Sequence, residues 1–381
     1  MASCSRGSLW LQARSVSTRE RASRLPLLDR PREMVRLLAI ALCALAVPLA
    51  TSANSTTTYE NPVYPRDHPD PGVLWDPASK LWYVATTGGD EGGNFPIMSS
   101  PDLVNWTPAG HIFPSEGGGG PPWAGRSTFW APELHMNCTT EAKYCAVFVA
   151  RSDDEGGQLS VGMAFAPSPR GPYKDIGHAL VTEAEWGNID PHIFHDGAAT
   201  YALWKRDGNA VGKPTPIFIQ QLSPDGRSLL GKPVVTITDD LPWEGGLVEA
   251  PWVVQHGGSY YLFYSSNGYN SDRYSISAAV APSLKGPWKK AAQPLLHSAS
   301  PPQGWAGPGH CSVLPPVSGV TTNWYIIYHS WVAGHVGGNP GRNILLDELH
   351  WPNATAHGSA AVWPVIGQNG VPSTRQMPAP H

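Results

Sequence analysis

Short apolar and aromatic runs, each bounded by turn-forming residues, recur along this chain. They are Leu81–Ala85 (LWYVA), Tyr144–Phe148 (YCAVF), Tyr201–Trp204 (YALW), Tyr260–Tyr264 (YYLFY) and Trp324–Tyr328 (WYIIY). Runs this short, rich in aromatic and β-branched residues, predict strands rather than helices. With Tyr83, Tyr144, Tyr201, Tyr261 and Tyr325 as markers, the spacings are 61, 57, 60 and 64 residues. A unit of that length holds four short antiparallel strands and their turns. A second element also repeats: Ser100–Trp106 (SPDLVNW), Ala166–Tyr173 (APSPRGPY) and Ala281–Trp288 (APSLKGPW). Each is a turn ending in an aromatic residue, which predicts a plug between neighbouring sheets. Radial repetition of such units protects sheet edges without closing a barrel, so the pattern predicts an all-β, five-bladed β-propeller. A two-sheet sandwich leaves the period unexplained.

Composition agrees. Only 15% of residues are charged, while 40 Gly, 39 Pro and 16 Trp favour turns and flat rings over helices. The N-terminus reads differently from the rest. Leu37–Ala50 is apolar, follows Arg36 and precedes Thr51-Ser52-Ala53, which predicts a secretory signal starting at Met34 and cut near Ala53. Residues 1–53 are therefore expected to be an N-terminal extension plus signal peptide (signal core 34–53), and residues 54–381 a single catalytic propeller domain. The first 33 residues carry seven Arg and three acids. They leave open a mis-assigned start, a transit-like extension, or the cytoplasmic side of an uncleaved signal anchor. The expected location is extracellular, with a signal-anchored protein of the secretory pathway as the alternative. Membrane attachment is expected only in that second case.

Without residues 1–53 the chain has 18 Lys and Arg against 27 Asp and Glu. An acidic body does not attract phosphate backbones, so no nucleic-acid partner is expected. Cys138 and Cys145 are close enough to close a hairpin disulfide in an oxidising compartment, and Cys311 reads as a buried apolar residue. Sequons at Asn54, Asn105, Asn137 and Asn353 permit glycosylation. The protein is expected to be a monomer.

One polar position per repeat stands out. Asp70, Glu133, Asp190, Glu249 and His310 lie 13, 11, 11, 12 and 15 residues before the five tyrosine markers. Each precedes a hydrophobic run that begins an innermost strand. Alone, an Asp before Pro is a turn residue and a lone His is a core residue; the shared register is what lifts them. In a propeller, matched positions converge on one channel mouth. Clustered, buried carboxylates have their proton affinities pushed apart, which suits acetal cleavage: one acid protonates the leaving oxygen and one carboxylate activates water. Glu133 could instead support its blade.

Four stretches resemble glycoside hydrolase family 43 over Asn61 to Gly367: Asn61–Val73 (NPVYPRDHPDPGV), Gly187–Phe194 (GNIDPHIF), Leu247–Trp252 (LVEAPW) and Gly307–Ser312 (GPGHCS). The resemblance implies a five-bladed propeller that hydrolyses arabinan, α-L-arabinofuranosides or β-D-xylosides with inversion at the anomeric carbon. It assigns Asp70 as general base, Glu249 as general acid and Asp190 as the residue that tunes and orients the acid. Inversion calls for carboxyl groups roughly 6.5–9.5 Å apart, and retention for about 5 Å. Trp130, which could stack on a sugar or sit between blades, His310 and Arg342 are the expected substrate-binding residues, and the partner is an oligo- or polysaccharide. No cofactor is expected for the chemistry. Related arabinanases suggest a single ion, calcium or similar, at the channel centre near His310, although the sequence supplies no complete ligand set and leaves the metal ligands unknown. Trp204-Lys205-Arg206-Asp207 receives no role.

Other activities fit less well. Gly88-Gly89 and Gly117–Gly120 lack the Gly-Lys-Ser/Thr of a phosphate cradle, and the chain has neither His-Glu-x-x-His nor Gly-x-Ser-x-Gly. A retaining fructan- or sucrose-cleaving propeller enzyme would carry Arg-Asp-Pro where this chain has Ile189-Asp190-Pro191, and Glu-Cys at Glu249-Ala250. A non-catalytic carbohydrate-binding propeller would be expected to lack one of the three acids, and an interaction-type propeller to have an acid-free channel.

Overall fold

The computed structural model describes residues 58–380 apart from 141, 154–156, 183–184 and 353–360; the expected signal segment and the extension before it lie outside the described residues. The described residues form strands, with three 3-10 turns and no α-helix among them. Five antiparallel sheets follow one another as the blades of a propeller. Their innermost strands are Gly72–Asp76, Ala124–Met136, Asn188–Asp196, Val248–His256 and Trp305–Leu314. The tyrosine markers fall on the second strand of each blade: Leu81–Ala85, Tyr144–Ser152, Ala199–Arg206, Ser259–Ser266 and Trp324–Val332.

The core is divided among the blade interfaces. Five apolar clusters occupy them, for example Phe95, Phe129 and Phe148 between blades one and two, and Val73, Trp82, Ile327 and Ile344 between five and one. The aromatic plugs sit there too: Trp106 between blades five and one, Tyr173 between one and two, and Trp288 between three and four. The chain closes the ring by returning to its beginning. Thr58–Tyr59 pairs with Met377–Pro378, and the Asn61 side chain both accepts from Leu346 N–H (2.9 Å) and donates to Leu346 C=O (3.0 Å) on blade five. Cys138 and Cys145 are bridged across the first hairpin of blade two, and Cys311 is free and buried.

The sixty-residue period has a backbone signature. Asp70, Ala131, Asp190, Ala250 and His310, 59 to 61 residues apart, all have φ between 47° and 59°. That left-handed conformation is uncommon for residues with a Cβ. In blades two to five the ladder to the second strand slips there, so each such residue sits in a bulge. The amide it frees is caught by the preceding blade. Asp70 N–H donates to His329 Nδ1 (3.1 Å), Ala131 N–H to Thr87 Oγ1 (2.7 Å), Ala250 N–H to Asp190 Oδ2 (3.0 Å) and His310 N–H to Ser265 Oγ (2.8 Å). These bonds satisfy buried donors and set the height of neighbouring blades against one another.

This register corrects the expectation from tyrosine offsets. The residue of blade two that matches Asp70 and Asp190 is Ala131, not Glu133, and that of blade four is Ala250, not Glu249. Glu249 stands one residue before the bulge position and Glu133 two after it. A shift of two carries Glu133 along the strand and out of the cavity lining, while a shift of one leaves Glu249 within it.

Candidate active site

Asp70, Asp190, Glu249, Trp130, His310 and Arg342 all line one cavity of about 340 Å³ at the mouth of the central channel. The left-handed positions supply Asp70, Asp190 and His310; the residues just before such positions supply Trp130, Ile189 and Glu249. A shallower depression of about 570 Å³, lined by Ser271, Asp272 and Pro302, adjoins it at Asn270. Trp130 (39% exposed) and Tyr269 (50% exposed) present aromatic rings at the rim. Glu133 is absent from this lining.

The three buried carboxylates have different surroundings. Asp70 accepts from Thr87 Oγ1 (2.5 Å) and from Arg342 Nη1 (3.2 Å), with His329 Nδ1 at 3.2 Å and His310 Nδ1 at 3.4 Å. Burial alone would push its carboxyl up, but Arg342 foremost, then His310, outweigh this and hold it well below the usual range. His329 is fully buried and its own affinity for a proton is lowered to about 4, chiefly by that burial. It is therefore neutral near pH 7, and its Nδ1 is free to accept the Asp70 amide. Arg342 lies against the Tyr269 ring, 4.7 Å from its centroid, a contact that steadies the guanidinium.

Asp190 Oδ2 accepts from the Ala250 N–H at 3.0 Å. Burial, then the charge of Glu249, raise its carboxyl well above the ordinary value, and Lys205 opposes them without prevailing. Glu249 is occupied at both oxygens: Tyr274 OH donates to Oε1 (2.7 Å) and Lys205 Nζ to Oε2 (2.9 Å). Lys205, fully buried, also donates to Asp207 Oδ1 (3.0 Å). The cavity thus sets a carboxylate held ionised opposite Asp190, whose carboxyl tends to retain a proton.

Glu133 belongs to another constellation. Its Oε2 accepts from His135 Nε2 (2.7 Å) and His192 Nδ1 (2.8 Å). These are the described residues whose ligand atoms converge as a metal's would. The hydrogen bonding does not fit one. Val253 N–H donates to His192 Nε2 (3.0 Å), so a neutral His192 carries its proton on Nδ1 and gives it to Glu133. A cation at Nδ1 would leave an imidazolate. His310 fares no better as a calcium ligand, since calcium takes 6–8 oxygens and those of nearby Asp70 already serve Thr87 and Arg342.

Thr87, Lys205, Tyr269, Tyr274 and His329 are site residues that sequence reasoning missed. The signal Lys205 left was faint: it directly follows the apolar run Tyr201–Trp204 on the same strand, and it pairs across the ladder with Ile189. The others come from loops and second strands, where only the fold brings them near.

A family model described as glycosyl hydrolases family 43 matches residues 59–355, and the chain belongs to that family. It is a glycosidase of the O-glycosyl type. A β-D-galactofuranosidase of Aspergillus niger is 29% identical over 290 residues, covering 74% of this chain and 79% of that protein. An extracellular endo-α-(1→5)-L-arabinanase of Bacillus subtilis is 26% identical over 309 residues, covering 74% and 84%. An extracellular exo-α-(1→5)-L-arabinofuranosidase of Streptomyces avermitilis is 26% identical over 236 residues, covering 58% of this chain; the match spans about half (47%) of that relative. The crystal structure of a thermostable family-43 glycoside hydrolase superposes with a TM-score of 0.72 at 30% identity, covering 85% of this chain and 99% of that one. Among the described residues no helix is long and apolar enough to cross a membrane.

Proposed function

We propose that this chain is a secreted, inverting glycosidase of arabinofuranosyl or xylosyl oligo- and polysaccharides. Asp70 as carboxylate takes a proton from the attacking water; Glu249 gives one to the departing glycosidic oxygen; Asp190 keeps a proton available to Glu249 through like-charge proximity. The observation that carries the reading is the opposition across one cavity, with the Asp70 carboxyl held low by Arg342 and that of Asp190, beside Glu249, pushed up by burial. Such opposed environments divide acid from base. Trp130 stacks on a sugar face at the rim, and His310 and Arg342 orient the ring over Asp70. The chemistry requires no metal. Secretion is supported by the bridged Cys138–Cys145 and the apolar run at 37–50.

The sugar is read by a panel of aryl α-L-arabinofuranoside, aryl β-D-xyloside, aryl β-D-galactofuranoside and linear arabinan, with NMR of the first-formed anomer. Turnover of an arabinofuranoside or xyloside with inverted product is expected. A retained anomer overturns the single-displacement step, and cleavage of the galactofuranoside alone overturns the sugar. In Glu249→Gln, substrates with poor leaving groups should slow by roughly 10²–10⁴, the usual worth of a general acid, while activated aryl glycosides are spared. Equal loss on both removes Glu249 from the acid role.

A further inference from the structure

Lys205 lies at a position where a lysine is costly. Its side chain is fully buried on the second strand of blade three, opposite Ile189 and so beside Asp190. Burying an ammonium group is unfavourable unless it is paired. Here two carboxylates pair it: Glu249 Oε2 at 2.9 Å and Asp207 Oδ1 at 3.0 Å. If Glu249 works as an acid, this contact is a paradox. A cation that close favours the carboxylate over the carboxylic acid and makes the proton easier to lose. A structural lysine would serve as well on any carboxylate outside the cavity; this one is bonded to the carboxyl proposed as the acid.

We propose that Lys205 is a positioning residue that sets the proton affinity of Glu249, with Asp207 as the counterweight that limits its pull. The proposal rests on Glu249 being the general acid. In this arrangement Asp190 raises the affinity of Glu249 for its proton, Lys205 lowers it, and Asp207 shares Lys205 so that Glu249 feels only part of the ammonium charge. Tyr274 fixes the other oxygen by donating to it, and a hydroxyl can turn to accept when Glu249 is protonated. The remaining charged or titratable groups of the cavity are Asp70, His310 and Arg342, with His329 behind Asp70. They converge on Asp70 rather than on Glu249, as the contacts at 3.2–3.4 Å record. The device therefore acts on the basic limb of the rate profile, where the acid loses its proton, and leaves the acidic limb to Asp70.

The test is the pH dependence of kcat/KM on a substrate with a poor leaving group, for wild type, Lys205→Met, Lys205→Arg and Asp207→Asn. Loss of the cation in Lys205→Met should move the basic limb to higher pH by about one unit or more, since an opposite charge within hydrogen-bonding range shifts a carboxyl by roughly 1–3 units. Lys205→Arg keeps the charge and should keep the limb. Asp207→Asn frees Lys205 for Glu249 and should move the limb to lower pH. A limb that stays in place in both Lys205→Met and Asp207→Asn, with only the overall rate reduced, overturns the proposal and leaves Lys205 structural. If Lys205→Met does not fold, the downward movement in Asp207→Asn decides alone. The Glu249→Gln leaving-group comparison separates the two ideas. Leaving-group dependence with an immobile limb discards the role of Lys205 only, whereas its absence discards the acid assignment beneath it.

Discussion

The channel holds two groups of buried acids built from the same repeat, and their surroundings differ. At the mouth, the left-handed positions and the residues before them deliver Asp70, Asp190 and Glu249 to one cavity. Deeper, the position two residues on delivers Glu133 and His192 to a closed hydrogen-bonded trio with His135. Glu133 receives two N–H donors at a single oxygen and has no part in the cavity. Burial raises its carboxyl while His135 opposes this, and burial lowers His135 and takes His192 down to about 3. Asp190 is equally buried but has a neighbouring carboxylate where Glu133 has imidazoles. A buried carboxyl is thus not a reactive one by virtue of burial. What separates the two groups is whether the surrounding donors meet the charge or whether a second acid leaves a proton undecided between them.

Matched amide substitutions break that comparison most sharply. Asp70→Asn should lower kcat/KM by roughly 10²–10⁴, the range for a general base, while the melting temperature stays within a few degrees of wild type. Steady-state kinetics beside thermal unfolding reads both. A next, smaller effect is expected in Arg342→Met. As the proposed general base Asp70 would have to be ionised, and Arg342 is the largest influence keeping its carboxyl low. Removing it raises the Asp70 value, so the acidic limb of kcat/KM should move to higher pH, by roughly 1–3 units for the loss of an adjacent opposite charge. An unmoved acidic limb would place the control of Asp70 elsewhere.

Glu133→Gln tests the other half. A Gln carbonyl oxygen can still accept both imidazole N–H groups but without the charge that strengthens them, and its NH2 puts a buried donor where an acceptor stood, at a cost of about 1–3 kcal/mol when unmet. The expected outcome is a lower denaturation midpoint with both limbs of the pH profile in place. A moved limb with unchanged stability would merge the two groups into one functional unit. The smallest effect belongs to the rim. Trp130→Ala removes one stacking face, worth about 0.5–1.5 kcal/mol, so KM should rise roughly 2- to 12-fold with kcat little changed.

Much of the fold was legible in the sequence, because a propeller is periodic and periodicity survives in one dimension. The tyrosine-marked second strands, the aromatic plugs and the five sectors were all readable from spacing. The three acids were readable too, since two of them precede or fall on the Pro-containing starts of inner strands: Asp70-Pro71 and Asp190-Pro191. Offsets counted from the second strand carried an error of one or two residues, through loops of unequal length. That error misplaced Glu133, whose true register partner is Gly72 rather than Asp70. A Cβ on Gly72 would strike Pro132 O and the Glu133 backbone, which explains the small residue there.

The amino-acid order alone determined an all-β chain in five sectors, the family to which it belongs, and the acids at positions 70, 190 and 249. Only the folded molecule decided which neighbours surround each acid. Lys205, Tyr274, Thr87 and His329 reach the cavity from second strands and connecting segments up to 259 residues away in the chain. The physical reason is that proton affinity depends on distances of a few ångströms in a medium without water, and those distances are fixed by how blades pack, a property that no local pattern encodes.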